Sequence, residues 1–144
     1  MAGKTDRLVA LISIHPAYAD AILDGTKRVE FRRSLYPHGA RWVVIYATAP
    51  VKRIVGWFEI ERIATGRPAV LWQTYRASGG VDAEAFDQYF DDCDLGTAIE
   101  VARPVRLDEP LRLDDVFPDG RPPQSFRYMP ALAAEAVGVP VAPA

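Results

Sequence analysis

Two long runs of β-branched and aromatic residues, almost touching in the sequence, constrain the fold of this chain most. The runs are RWVVIYAT (41–48) and VKRIVGWFEIERI (51–63), and only Ala49 and Pro50 separate them. Such composition favours extended strands, and so short a connection favours two adjacent strands. Gly56 interrupts the second run and predicts a bulge or a close backbone approach. A strand that bends in this way is typical of a small barrel.

The rest of the chain predicts short strands and helices in an order that suits a mixed barrel. Pro16 suits the first turn of a helix, Gly25 suits its carboxyl-terminal cap, and Asp82 suits the amino-terminal cap of a later helix. Because the helices gather in two places and do not alternate with the strands, an α+β barrel is favoured over a doubly wound sheet, and an OB-like barrel stays open. The predicted strands are 8–14, 27–33, 41–48, 51–63 and 95–107; the predicted helices are 16–24, 67–77, 82–91 and 130–138; an ordered loop is predicted at 113–124 and a frayed tail at 139–144.

Length and composition indicate one soluble domain. We expect a single domain over residues 1–144, with its core at about 7–138, because 144 residues are enough to bury a core. No stretch approaches the roughly 20 apolar residues that a membrane span needs, so no membrane association is expected. The single cysteine, Cys93, cannot form an internal disulfide. A cytoplasmic location is therefore the default expectation.

Charge is distributed unevenly along the sequence. The net charge of −2 and the pI near 5.7 argue against non-specific binding to long duplexes, which needs many Lys and Arg contacts to phosphates. Residues 25–33 are basic and residues 82–94 are acidic, which predicts one basic and one acidic pole. The acidic helix 82–92 is either a solvated face, the interpretation we favour, or a surface that binds a protein partner.

The sequence predicts no metal and no cofactor. The two histidines, His15 and His38, have no second ligand at metal-binding spacing. The glycine-rich loop of nucleoside-triphosphate enzymes is absent, and no motif suggests a Ser-His-Asp triad.

Three stretches in order carry a resemblance to a known family. They are SIHPAYADAILDGTKRVEFRR (13–33), IYATAPVKRIVGWFEIERI (45–63) and RPPQSFRYM (121–129). Together they resemble the ASCH domain family of the PUA-like superfamily, whose signature is Gly, any, Lys, any, any, Glu, any, Arg. The resemblance implies an α+β, PUA-like mixed β-barrel flanked by short helices, with a cleft beside the first helix. The residues that match the signature are Gly25, Lys27, Glu30 and Arg32.

The resemblance implies that the signature residues lie in the cleft wall. Strand alternation alone places Glu30 and Arg32 on the same face, where the ordinary interpretation is an exposed ion pair. In the cleft, Arg32 offers a planar fork to a phosphate or a base edge. Glu30 would accept hydrogen bonds from a base amino group or act as a general base. Lys27 would contact phosphate, together with Arg33, or act as a nucleophile or proton shuttle.

Relatives in the superfamily bind RNA or hold a modified base, and some small ASCH proteins hydrolyse N4-acetylcytidine or cleave RNA. The hydrolases resemble this chain in having a Lys, here Lys27, as a candidate catalytic residue. They have a Thr three positions later, where this chain has Glu30, so the catalytic set would be Lys27 and Glu30. For the distant Glu of that family, Glu84 and Glu100 both remain open.

Further candidates for nucleotide or RNA binding come from the ends of two predicted strands and from RPPQSFRYM (121–129), which resembles the closing motif of one subgroup of the family. A histidine at position 15 would give a cation that depends on pH near neutrality. The leading hypothesis is a module that binds RNA, a nucleotide or a modified nucleoside. The alternatives are an amidohydrolase or ribonuclease on the same cleft, and a regulatory protein-binding subunit. These further candidates are Ser13, His15, Tyr46, Thr48, Gln124, Ser125, Arg127 and Tyr128.

Overall fold

The computed structural model describes residues 8–33 and 36–141, and within them six strands form one mixed sheet. The sheet order is β2-β5-β4-β3-β1-β6, and the sheet curls into half a barrel. The strands are β1 (Val9–Ile14), β2 (Val29–Arg32), β3 (Trp42–Ala47), β4 (Arg53–Gly66), β5 (Gly96–Leu111) and β6 (Phe126–Tyr128). The helices are α1 (Pro16–Asp24), α2 (Pro68–Tyr75), α3 (Ala83–Tyr89) and α4 (Ala131–Val137), with a 3₁₀ turn at Leu113–Asp115.

The predicted strands and helices are all present, and β6 is an addition. Pro16 begins α1, Gly25 ends it at φ 90°, and the side chain of Asp82 accepts from the Ala85 N–H at 2.8 Å as the cap of α3. The predicted fraying is wrong for Val139, which is buried and whose N–H donates to the Ala134 carbonyl. Residues 142–144 of that tail lie outside the described residues.

The long antiparallel pair β4 and β5 gives the sheet its curl. The register between them shifts at three places, and one shift falls between Ile54 and Gly56, which confirms the bulge predicted at this glycine. A Cβ added to Gly56 would overlap the Val105 carbonyl oxygen and lie 2.6 Å from Leu23 Cδ2. Gly56 therefore allows β5 and α1 to pack directly on the strand.

Parallel pairing of β1 with β3 organises the centre of the sheet, and the other neighbouring strands run antiparallel. Both faces of β1 are buried, with Val9 and Leu11 in one apolar cluster and Ala10 and Ile12 in another. The two strands end side by side, so the residues that follow them share one edge of the sheet.

The edge strands β2 and β6 are connected through a side chain. The Arg32 guanidinium donates to the Ser125 carbonyl at 3.2 Å and to Ser125 Oγ at 2.7 Å, just before β6 begins. It also donates to the Ser13 carbonyl at 3.5 Å. A seam between β2 and β6 is thus spanned by one buried arginine.

The basic and acidic segments are neighbours, so the prediction of two opposite poles is wrong. Arg33 Nε donates to Cys93 Sγ at 3.3 Å, and Arg33 Nη2 donates to the Asp91 carbonyl at 3.4 Å. The cause is apolar burial. Phe86 of α3 is buried by packing on Phe31 in β2, and their ring centroids lie 5.1 Å apart. Helix α3 therefore packs over the basic segment.

No helix within the described ranges has both the length and the apolar character needed to cross a membrane.

Candidate functional site

A cavity of about 300 Å³ lies at the seam, beside the first turns of α1. Aromatic rings form much of its wall. Three charged side chains from β2 and the residues just before it also line the cavity, namely Lys27, Glu30 and Arg32. The lining residues are Ser13, Ile14, His15, Tyr18, Lys27, Glu30, Phe31, Arg32, Val81, Ala85, Phe86 and Tyr89. A concave space with apolar walls and a few polar groups is the usual form of a small-ligand site.

The three charged side chains are buried, which is unusual for such residues. Lys27 is 1% exposed, Glu30 is 6% exposed and Arg32 is 9% exposed. Arg32 Nη1 lies 3.3 Å from Glu30 Oε2, which confirms that the two side chains share a face. The pair is not the exposed ion pair of the ordinary interpretation. It forms part of a desolvated polar cluster.

Burial is the main influence on Glu30. It raises the pKa of this carboxyl above the ordinary value, and the nearby charges of Lys27 and Arg32 oppose the rise. Glu30 Oε1 makes no hydrogen bond to the residues that the structure describes. This oxygen is consequently able to accept a hydrogen bond from a ligand in the cavity.

Lys27 is more deeply buried than a lysine that contacts a phosphate at the protein surface. Its ammonium group donates to the Gly79 carbonyl and lies 5.0 Å from the ring centroid of Tyr18 and 5.2 Å from that of Phe31. Burial lowers the pKa of Lys27, and the Glu30 charge opposes that shift. A lysine in such surroundings has more of the neutral amine than an exposed one, which is the form that acts as base or nucleophile.

The ends of β1 and β3 bring together most of the candidates predicted there. Ser13 pairs with Tyr46 across the two strands, and the Ser13 N–H donates to the Ser125 carbonyl at 3.4 Å. His15 is exposed at the cavity, and its Nδ1 accepts from the Ala17 N–H at 3.2 Å. The half-buried Thr48 is held through its N–H, which donates to the Ile14 carbonyl.

Tyr46 belongs to the apolar core through its ring. The residue is 6% exposed and packs with Trp42 and Val44. Its hydroxyl makes no hydrogen bond to any described residue. Every fully buried polar side-chain atom that the structure describes has a partner, so this hydroxyl is not fully buried. The hydroxyl is therefore the part of this side chain that reaches the surface.

The closing motif divides between two surfaces. Ser125 joins the cavity cluster through Arg32, whereas Gln124 is exposed and does not line the cavity. Arg127 pairs with Asp119 at 3.2 Å and lies 3.9 Å from the ring centroid of Phe117, on the core face away from the cavity. The Tyr128 hydroxyl donates to the His38 carbonyl at 2.9 Å.

Neither open choice for a distant catalytic carboxylate lines the cavity. Glu84 is exposed on α3. Glu100 faces a different groove, where it accepts from the Tyr75 hydroxyl at 2.6 Å and pairs with Arg62 at 3.0 Å. The described residues also include no group of three or more His, Cys, Asp or Glu that could hold a metal ion.

Sequence reasoning missed part of the cavity wall. Tyr18 carried a signal, because it lies on α1 next to the signature segment. Nothing in the local sequence of α3 indicated that its apolar side would cover β2. The cavity residues missed on that side are Val81, Ala85, Phe86 and Tyr89.

Comparison with known proteins gives a consistent result. The family model of the ASCH domain matches residues 12–104. An ASCH domain-containing ribonuclease from Zymomonas mobilis is 34% identical over 135 residues, covering 90% of this chain and 89% of that protein. The crystal structure of ASCH from Zymomonas mobilis has a TM-score of 0.84 at 30% identity, covering 90% of this chain and 93% of that one.

Two further crystal structures of the Zymomonas protein carry single mutations. A serine-to-alanine mutant matches with a TM-score of 0.84 at 29% identity and covers 93% of this chain. A tyrosine-to-phenylalanine mutant matches with a TM-score of 0.85 at 27% identity and covers 91%. The N-terminal domain of Staphylothermus marinus McrB shares the fold alone, with a TM-score of 0.56 at 14% identity.

Proposed function

Because the chain belongs to the ASCH domain family and has its α+β, PUA-like fold, we propose that it binds single-stranded RNA and cleaves it, with one base held in the cavity beside α1. The observation that carries the proposal is the buried Glu30–Arg32 pair inside an aromatic-walled cavity. The name of the Zymomonas relative, a ribonuclease, supports RNA as the substrate.

The cavity suits a base in both size and chemistry. Its volume of about 300 Å³ lies at the lower end of the range for small-molecule sites. Tyr18 and Tyr89 offer rings on which a base can stack, as aromatic residues do in many single-strand RNA sites. If the protein only bound RNA without cleaving it, Glu30 Oε1 would instead accept from an exocyclic amino group, which favours cytosine or adenine over uracil.

Two hydroxyls beside the cavity are the candidates for a role in cleavage. Ser125 Oγ accepts from Arg32 at 2.7 Å, and Tyr46 adjoins Ser13, whose N–H bonds the Ser125 carbonyl. The two mutants of the Zymomonas protein change a serine and a tyrosine, the same two residue types as Ser125 and Tyr46 here. This coincidence supports these two side chains as functional residues here.

Cleavage through the ribose hydroxyl defines what the site must supply. The 2′ oxygen would bond to phosphorus, the bond from phosphorus to the 5′ oxygen would break, one proton would leave the 2′ hydroxyl and one would reach the 5′ oxygen. Glu30 is the proposed general base that takes the proton of the 2′ hydroxyl. Lys27 is the neighbouring group that exchanges a proton with it. Arg32, whose guanidinium is held by Glu30 and Ser125, would act on the reacting phosphate only through its nearby positive charge.

A second candidate function is removal of an acyl group from a modified nucleoside such as N4-acetylcytidine. The specific observation in its favour is the buried Lys27, whose pKa burial lowers. Glu30 stands where a threonine would be expected, so water activated by Lys27 and Glu30 would be the nucleophile.

Mass spectrometry of a short single-stranded RNA and of N4-acetylcytidine after incubation with the protein tests both functions. We expect shortened RNA with the wild-type protein, and intact RNA with Glu30→Gln. The matched control is Glu84→Gln, the same change at an exposed carboxylate outside the cavity. Deacetylation with uncut RNA would select the second candidate, and intact products at high protein concentration would contradict both.

A further inference from the structure

We infer that a second groove, on the other side of Lys27, holds the phosphate of the neighbouring nucleotide between Arg28 and Arg103; this rests on the proposed function. The groove has a volume of about 590 Å³ and lies between the end of α1, α2 and the middle of β5. Lys27 lines both the groove and the base cavity, so one side chain separates them.

Arg28 is positioned for an external ligand. Its backbone is fixed on both sides, because its N–H donates to the Ser78 carbonyl at 2.8 Å and its carbonyl accepts from the Val101 N–H at 3.0 Å. Its side chain is exposed and makes no salt bridge or hydrogen bond within residues 8–33 and 36–141. By contrast, the guanidinium of Arg32 is occupied by protein groups.

The balance of charges around the groove favours the binding of one phosphate. Glu100 is paired with Arg62 at 3.0 Å and accepts a hydrogen bond from the Tyr75 hydroxyl, so it opposes an anion less than a free carboxylate would. Arg103 has φ 48°, and its guanidinium lies 3.3 Å from Glu59 while the side chain stays 82% exposed. Two guanidinium groups offer planar donors to phosphate oxygens.

Glu61 limits how far an RNA backbone can follow the groove. It is an exposed carboxylate in the lining and has no partner among the described residues. A second phosphate would meet its negative charge, whereas a 2′ hydroxyl or a base amino group would find an acceptor. The groove therefore fits a single nucleotide that continues from the base in the cavity.

The test compares a ligand that fills the cavity alone with one that reaches both places. Binding of cytidine monophosphate and of a six-nucleotide single-stranded RNA is measured for the wild type, Arg28→Ala and Arg67→Ala. Arg67 is an exposed arginine that lines neither space, so its variant controls for the loss of one charge. Thermal unfolding confirms that each variant is folded.

For Arg28→Ala we expect the affinity for the six-nucleotide RNA to fall about three- to tenfold. The slope of log affinity against log salt concentration should decrease by roughly the amount of one phosphate contact. The affinity for cytidine monophosphate should stay unchanged, and Arg67→Ala should resemble the wild type. Unchanged RNA affinity in Arg28→Ala, or an equal loss for both ligands, would overturn the inference while leaving the proposed function intact. A wild-type protein that binds neither ligand would overturn both.

Discussion

Arg32 shows how much one residue contributes to this architecture. Its guanidinium neutralises Glu30, fixes Ser125 and spans the seam between the two edge strands. The signature pattern indicated that Arg32 and Glu30 belong together, and strand alternation gave them a common face. The partner Ser125 could not be predicted from the sequence, because 93 positions separate it from Arg32 and only the curl of the sheet brings them together.

Replacing Arg32 should destabilise the protein strongly. Arg32→Met leaves the Glu30 carboxylate buried beside a single opposing charge, and breaking a buried pair costs about 3–5 kcal/mol. Arg106→Met is the matched control, because Arg106 pairs with Asp20 at 3.0 Å on the surface and exposed pairs contribute only about 0–1 kcal/mol. Urea unfolding of both variants measures the difference, and equal losses would contradict a buried role for Arg32.

The Ser125 and Tyr46 hydroxyls should matter more for activity than for stability. Ser125→Ala removes one hydrogen bond to a charged group, which is worth about 1.5–3 kcal/mol, and Tyr46→Phe removes a hydroxyl that has no partner in the described structure. We expect both variants to fold and to cleave RNA at least tenfold more slowly. Rates measured under single-turnover conditions check this, and wild-type rates in both variants would exclude the hydroxyls from the reaction.

The pKa of Glu30 predicts how stability depends on pH. Burial raises it above the ordinary value of 4.5, so the contribution of this group to stability is complete below pH 4.5 and is lost as the pH rises through the folded-state pKa. Relative to Glu30→Gln, the wild-type protein should therefore lose stability as the pH rises above 4.5. Melting temperatures of both proteins across that range test the sign, and a constant difference would contradict it.

At the level of elements, local patterns predicted most of what the chain forms. The two long apolar runs became β3 and β4, and the Pro16 and Gly25 signals bounded α1 correctly. Strand β6 was missed because it has three residues and derives its pairing from β1, not from its own composition. The covering of β2 by α3 was missed for a similar reason, since it depends on packing between distant apolar residues.

The bulge at Gly56 gives a test within a single strand. Gly56→Ala would force a Cβ against the Val105 carbonyl and Leu23, and overpacking of this kind costs about 1–3 kcal/mol or more. Gly66→Ala is the control in the same strand, because the nearest atom to its added Cβ is 4.0 Å away. Denaturant midpoints should fall clearly for the first variant and little for the second. Similar midpoints would argue against a close approach at Gly56.

For the whole molecule, the sequence indicated part of the lining of one cavity, and whether this cavity is the functional site remains a prediction. Lys27, Glu30 and Arg32 do line one cavity, and Ser13 and His15 line it with them. Gln124, Arg127 and Tyr128 lie outside its lining, and only Ser125 of that stretch reaches Arg32. Arg33 also lies outside it, because its side chain donates to Cys93 and Asp91. Their proposed contact with RNA remains a prediction, as does a protein partner for the exposed acidic residues of α3.

The central claim, that an RNA base occupies the cavity beside α1, can be tested directly by photo-crosslinking. A short single-stranded RNA containing one photoreactive pyrimidine is irradiated with the protein, and the modified peptide is identified by mass spectrometry. The account predicts crosslinks to Tyr18 or Tyr89, whose rings wall the cavity. Crosslinks confined to the opposite face, near Phe117 and Arg127, or no crosslink at saturating RNA, would contradict it.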